Sequence, residues 1–263
     1  MAVVEGYTYL LPTHSPFEAL EDVKIALLLR DVGIVPLSLH DFVDFKLSGE
    51  KTKGVDVCPR SRAATCDPLF NPNCHIEERR QTICKFPHVV YLVAFRNLVK
   101  VGTAIKGREL LRVYEQGARV FSVLTVVQNY PKAVVLEGEI AKKYEEVKEK
   151  PRIKYEDVIV RDDNRLQRLR EKLNQLTERI ASDFGFSNYS EAKILYYPCL
   201  EREELLLIRG KEFRGKIVGY IGPFLILEDR NHVESIVDLR EIEGMNIGGY
   251  IVDSLFGEKT EIY

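Results

Sequence analysis

The chain has 263 residues, enough for one large domain or two to three small ones. Its hydrophobic fraction of 45% supports a buried core, and its charged fraction of 30% is somewhat above average. A net charge of −2 excludes a globally basic surface, so any contact with nucleic acid has to be local.

No run of about 18 apolar residues occurs, which argues against a membrane-spanning helix. The first residues lack the basic flank and apolar stretch of a secretory signal. The expectation is a cytoplasmic protein without a membrane partner, in a compartment where thiols stay reduced.

Residues 1–56 carry apolar stretches around Val23–Leu29 and Val35–Leu47, with turn signals at Pro12, Gly33 and Gly54. They read as a small β-containing region. Residues 57–87 are loop-like, with Pro59, Pro68, Pro72 and Pro87 interspersed among four cysteines. Together 1–87 form an N-terminal β region with a cysteine cluster.

Cys58, Cys66, Cys74 and Cys84 are spaced C-x7-C-x7-C-x9-C. In a reducing compartment that cluster favours a structural zinc ion held by four thiolates. His75 is an alternative ligand, and two disulfides or free thiols are the competing readings. Cys199 stands apart beside Pro198 and reads as a core residue.

Residues 88–160 carry the clearest pattern. HVVYLVAF and LVKVGTA are two strand-like runs about Arg96-Asn97, a tight hairpin. A helix follows over Arg108–Gln116, with Gly117 as its stop. RVFSVLTVV, from Arg119 to Val127, reads as a buried strand. Pro131 opens a long helix with Leu136, Ile140, Tyr144 and Val147 on one face.

Within 161–192, a helix from Asp162 to Phe184 repeats Leu166, Leu169, Leu173, Leu176 and Ile180 at threes and fours. That seam is too short for a free coiled coil and predicts docking within the chain. Residues 193–263 return to short apolar runs (KILYYPCL, KIVGYIG, PFLILED) between Gly-rich turns, the pattern of a small β domain, barrel or sandwich. The fold class expected is α+β.

Setting the hairpin about Arg96-Asn97 pairs Tyr91 with Gly102 and Val93 with Lys100. Tyr91, Lys100 and Gly102 then share one face, with space opposite the tyrosine ring. Arg108 and Arg112 lie at i and i+4, so both can project from one side of their helix. Glu137 lies one position past Leu136, at the edge of its helix's apolar stripe. From Arg79 to Arg119 cations outnumber anions.

These residues resemble the GIY-YIG endonuclease superfamily. VVYLVAF stands where that family has its first motif, KVG where it has the second, and RELLRVYEQGA resembles the helix bearing its arginine. AVVLEGEIAKKY is similar to the glutamate helix of the bacterial excision nuclease's C subunit. Cys84, PHVVYL, KVG, Arg112 with EQGA, and IVGYIGPFLIL also look like a poorly characterised prokaryotic family that places cysteines before such a module and a Gly-rich β segment after it.

The resemblance implies a ββαβα module whose catalytic set is Tyr91, Lys100, Arg112 and Glu137. Tyr91 would activate water, Arg112 would neutralise the scissile phosphate, and Glu137 would bind one Mg²⁺ or Mn²⁺ ion. Lys100 replaces the second motif's tyrosine; it can hold phosphate as a point charge but cannot copy a phenol's hydrogen bonds. The expected function is nucleic-acid binding, to DNA or RNA, with metal-dependent endonuclease chemistry. The alternative is a non-catalytic nucleic-acid or ribonucleoprotein-binding protein that keeps the cleft to hold phosphate, and a zinc-stabilised scaffold is the third reading. The oligomeric state is left open.

Overall fold

The computed structural model describes residues 2–10, 24–30, 32–49, 84–149, 151–160, 162–197, 205–207, 211–253 and 257–262. Among these residues it is a mixed α+β protein with two sheets and few helices. Two compact units emerge. The first comprises Met1–Gly54, Tyr114–Gly117 and Tyr196–Tyr263, and the second Val55–Val113 and Ala118–Leu195. Among the described residues no helix is long and apolar enough to cross a membrane.

The first unit is built on one ten-stranded sheet. Its N-terminal strands are β1 (Ala2–Leu10), β2 (Lys24–Leu29), β3 (Gly33–Leu37) and β4 (Phe42–Ser48). Its C-terminal strands are β10 (Leu206–Leu207), β11 (Glu212–Ile221), β12 (Phe224–Glu228), β13 (Glu234–Asp238), β14 (Asn246–Val252) and β15 (Lys259–Ile262). The order is β10-β13-β12-β11-β4-β14-β1-β2-β3, with β15 on β14.

The sequence reading separated residues 1–87 from 193–263; here β4 lies between β11 and β14, and β1 pairs with both β14 and β2. Each strand's own pattern is visible locally, but a partner some two hundred residues away leaves no local mark.

The unit's core is aromatic. The ring of Tyr9 lies 5.8 Å from Tyr114, 6.0 Å from Tyr220 and 6.4 Å from Tyr197, and its hydroxyl donates to the Gly222 carbonyl at 2.9 Å.

The second unit carries a five-stranded sheet in the order β8-β6-β5-β7-β9. Its strands are β5 (His88–Ala94), β6 (Val99–Ile105), β7 (Val120–Val127), β8 (Val147–Lys148) and β9 (Lys193–Ile194). Its helices, in chain order, are α1 (Glu109–Gln116), of which Tyr114–Gln116 fall in the first unit, α2 (Tyr130–Lys143), α3 (Tyr155–Val158) and α4 (Asp163–Phe184); α5 (Leu239–Ile242) belongs to the first unit.

Asn129 caps α2, its side chain accepting from the Lys132 N–H at 3.0 Å, and Pro131 sits in the first turn. The helix stops at Lys143, one residue short of Tyr144. Val147, placed on the helix by periodicity, lies instead on β8, pairing in parallel with Val99. A short apolar run beyond a helix end cannot be told from its continuation by period alone.

Asp162 caps α4 by accepting from the Asn164 N–H at 2.9 Å, and Gly185, at φ 71°, ends it in the left-handed conformation. The predicted seam docks as expected. Leu173, Leu176 and Ile180 bury against Val90, Leu92 and Val120, together with Ala133 and Ile140 of α2. Inside that layer the Ser122 and Thr177 hydroxyls meet at 2.7 Å, and Thr177 donates to the Leu173 carbonyl. Both long helices therefore cover the same face of the sheet.

In the first unit Gly222 opens the two-residue turn between β11 and β12 with φ +57°, and a Cβ there would stand 2.6 Å from the Cα and the amide nitrogen of Gly117. The left-handed conformation and the backbone contact both exclude a side chain. Gly222→Ala is expected to lower stability by about 1–3 kcal/mol from backbone strain alone, with a further loss from the contact. Urea denaturation of the variant at unchanged m-value checks this; an unaltered midpoint would refute it.

Candidate functional site

The hairpin forms in the expected register. Tyr91 pairs with Gly102 and Val93 with Lys100, and the Phe95 N–H donates to the Leu98 carbonyl at 2.9 Å across the turn. Tyr91, Lys100 and Gly102 thus occupy one pleat face, while Val90, Leu92 and Val101 occupy the helix-covered one.

The space expected opposite Tyr91 is filled by its own ring. A Cβ on Gly102 would lie 2.8 Å from Cε2, Cζ and Oη of Tyr91, and the tyrosine is only 1% exposed. Gly102 is therefore a packing requirement of the phenol.

Glu137 sits within the sheet-facing stripe of α2, one turn from Ala133 and near Ile140, and is buried to 9% exposure. The sequence reading put it at the stripe's edge because Ala133, the small residue that completes the stripe, carries little apolar signal. The Thr103 hydroxyl donates to Glu137 Oε2 at 3.4 Å. Thr103 lies on the opposite pleat face from Lys100 and Gly102, so the carboxylate approaches with the helices rather than from the Tyr91 side. Beyond Lys100, β6 pairs only with β5 among the described residues, and at this open edge one carboxylate can influence groups on both faces.

The electrostatics connect three of the four residues. Burial pulls the Lys100 ammonium down from 10.5 to about 8; the Glu137 carboxylate pulls it back up, and the Arg112 guanidinium pushes it further down. Arg112 itself is exposed on α1, and its N–H closes the first helical turn onto the Arg108 carbonyl at 3.0 Å. Lys100 is thus within electrostatic reach of both Arg112 and Glu137, and Tyr91 is a buried ring laid on Gly102, two residues along β6. Arg108 is also exposed.

Two neighbours of the site are buried. His88 opens β5 and is 2% exposed, with Nδ1 at 2.8 Å from the Phe86 carbonyl and its ring 5.2 Å from Tyr130. Burial lowers its pKa. Arg119, counted in the basic bias, is buried, and its Nη1 donates to the Val158 carbonyl at 3.4 Å.

Of the zinc candidates, Cys58, Cys66 and Cys74 lie outside the described residues, as do His75 and Cys199; Cys84 is buried. Among the described residues no group of three or more His, Cys, Asp or Glu side chains is placed to hold a metal ion.

A feature absent from the sequence reading lies elsewhere on this unit. A groove of about 800 Å³ opens between the hairpin tip, Phe95–Val99, and α4, edged by Arg96, Arg165, Arg168, Lys172 and Arg179. The signal was present in RLQRLREKLNQLTER, where cations follow the leucine seam at three- and four-residue steps. The leucines drew the reading because burial follows them.

A family model described as "Protein of unknown function (DUF2797)" matches residues 62–247, most of the chain and the whole of the hairpin, α1, β7 and both long helices. The chain belongs to this family. The resemblance to the GIY-YIG endonucleases is corrected accordingly: the module lies within this uncharacterised family, and no model of that superfamily matches. The likeness rested on short motifs around Tyr91, Lys100 and Glu137. No curated protein and no solved structure matches the chain.

The lysine's perturbation sets a pH dependence. Below about pH 8 the amine is charged in both the folded and unfolded chain, and burial of that charge costs stability. Between about 8 and 10.5 the folded chain releases a proton that the unfolded chain keeps, so this group's contribution improves as pH rises through that window. Lys100→Met should therefore gain most over the native chain near pH 7, and that advantage should shrink by pH 9.5. A stability difference that stays constant with pH would show that Lys100 keeps an ordinary pKa.

Gly102→Ala tests the packing of the phenol. The added methyl should force the Tyr91 ring aside and cost about 1–3 kcal/mol, and Tyr91→Ala in the same chain should recover part of that loss. Additive losses in the double variant would mean that the two positions do not compete for space.

Proposed function

We propose that the second unit binds the phosphate backbone of a nucleic acid, with Lys100 and Arg112 as the contacting cations and no chemistry performed on the strand. The observation that carries this reading is a pair of cations from β6 and α1: Lys100, a half-buried lysine whose charge burial disfavours, within electrostatic reach of the exposed Arg112. A phosphate placed between them would relieve the repulsion and restore the lysine's proton.

Holding phosphate is favoured over cleaving it by two details. Tyr91, the group that would activate water, is enclosed against Gly102. Glu137 is one carboxylate acting on the Lys100 ammonium, and a resident Mg²⁺ or Mn²⁺ ion would add a further cation beside Lys100, which already feels Arg112. The described residues do not fit such an ion, and no step is routed through one. Glu137 instead moderates the Lys100 charge and fixes Thr103.

Structural zinc remains part of the reading on the strength of the cysteine spacing, with Cys84 buried at the start of the described module. The purified chain should carry about one zinc per molecule, and Cys84→Ser should lower that content. Metal analysis at zero zinc in protein purified without chelators would remove zinc from the proposal.

Binding is tested with labelled DNA and RNA. Arg112→Ala should weaken affinity to a similar extent across sequences, since phosphate contacts read no bases. It should flatten the slope of log affinity against log salt by about one unit. Glu137→Gln should leave metal-free binding unchanged or stronger, because it removes a negative charge beside the cations. Should Arg112→Ala leave both affinity and slope untouched on every substrate, the phosphate site is not here. Cleavage by the native chain in Mg²⁺ or Mn²⁺, lost in Glu137→Gln, would restore the hydrolytic reading instead.

A further inference from the structure

We propose that the groove between the β5–β6 hairpin tip and α4 is a binding channel for single-stranded nucleic acid, separate from the Lys100 and Arg112 pair. This rests on the nucleic-acid reading above and extends it to a second surface.

The geometry begins with α4. Arg165, Arg168, Lys172 and Arg179 fall at steps of three, four and seven residues, so they share one side of the helix. At about 1.5 Å per residue the row runs for about 21 Å. Its length suits a chain of anions rather than one phosphate group. Arg168, Lys172 and Arg179 are exposed, and Arg165 is partly so. Arg96 adds a cation from the hairpin side.

Among the described residues the counterions are few and peripheral. Arg179 pairs with Glu146, the only acidic residue among the described ones lining the groove, and Arg168 stands 3.6 Å from Asp162 at the start of the helix. The acidic residues Glu171 and Glu178 of α4 sit a quarter-turn off the row, outside the lining.

The floor decides the class of ligand. Beneath the cations lie the half-buried Val99 and Leu169, apolar side chains that a duplex backbone or a simple polyanion would not use. A single strand presents both parts: a string of phosphates for the arginines and flat apolar bases for the floor. The guanidinium forks match phosphate oxygens in pairs, and arginine outnumbers lysine four to one among the lining cations named above. The hairpin tip closes the groove on one side with the exposed Asn97, whose Oδ1 already accepts from Arg165 at 3.5 Å. A DNA or an RNA strand meets the same chemistry.

The experiment uses the full chain and fluorescent twelve-nucleotide oligo-dT and oligo-U, with anisotropy read over a salt series. The variant is Arg165→Gln, Arg168→Gln and Lys172→Gln together; all three sites are at least partly exposed, and an unchanged melting temperature verifies the fold. The expected result is a tenfold or greater loss of affinity at low salt. The log–log salt slope should shallow by about two units, from three lost single-strand phosphate contacts. Lys132→Gln with Lys142→Gln, exposed on α2 away from the groove, should change neither.

If the native chain binds no oligonucleotide, the nucleic-acid reading fails as a whole. Binding that depends on Arg112 but not on the triple variant overturns the groove alone. Equal affinity for a matched duplex, or full displacement by an acidic polypeptide at the same charge concentration, also overturns it, the ligand then being a general polyanion or a protein.

Discussion

The second unit depends on one strand that is buried along its whole length. Every residue of β5, from His88 to Ala94, is enclosed, so both pleat faces need cover. The helices α2 and α4 supply it on the Val90 and Leu92 face. The Tyr91 ring, laid on Gly102, contributes to the packing of the other.

Lys100 then acts as a register lock. A one-residue slip of β6 against β5 would turn its ammonium from its present face toward the apolar layer of Leu92, Val101 and Leu173, at the cost of burying the charge among apolar groups. The same slip would bring a Cβ-bearing residue against Tyr91. Gly102 and Lys100, two residues apart on one face, both specify the pairing that places them.

Local features were legible from sequence for physical reasons. The hairpin register follows from a two-residue turn, and the extent of α4 follows from a capping aspartate, a leucine period and a terminal glycine. Each is decided by neighbours within a few residues. The terminal strands were legible as strands only, because the pairing of β4 with β11 and β14 is a choice among distant partners. Glu137 and Val147 were misplaced by the same weakness: hydrophobic period ranks residues by apolarity, so it passes over Ala133 and continues a helix into an apolar strand. The basic row on α4 was visible in the residues but became a site only when the hairpin tip was brought opposite it.

The two cationic surfaces of this unit differ in kind. The groove is edged mainly by guanidinium groups, which keep their charge at any pH a protein survives, and its cations are at least partly exposed, so dissolved salt competes with a ligand there directly. Lys100 is set apart by burial, which leaves it near half-protonation around pH 8. Near and above that pH an anion that engages it draws a proton from solvent as it binds, and linkage makes that uptake visible as a pH-dependent affinity. Salt therefore reports chiefly on the groove and pH on the strand edge. A nucleic acid long enough to occupy both would show the two dependences together, whereas a short strand confined to α4 would show only the first.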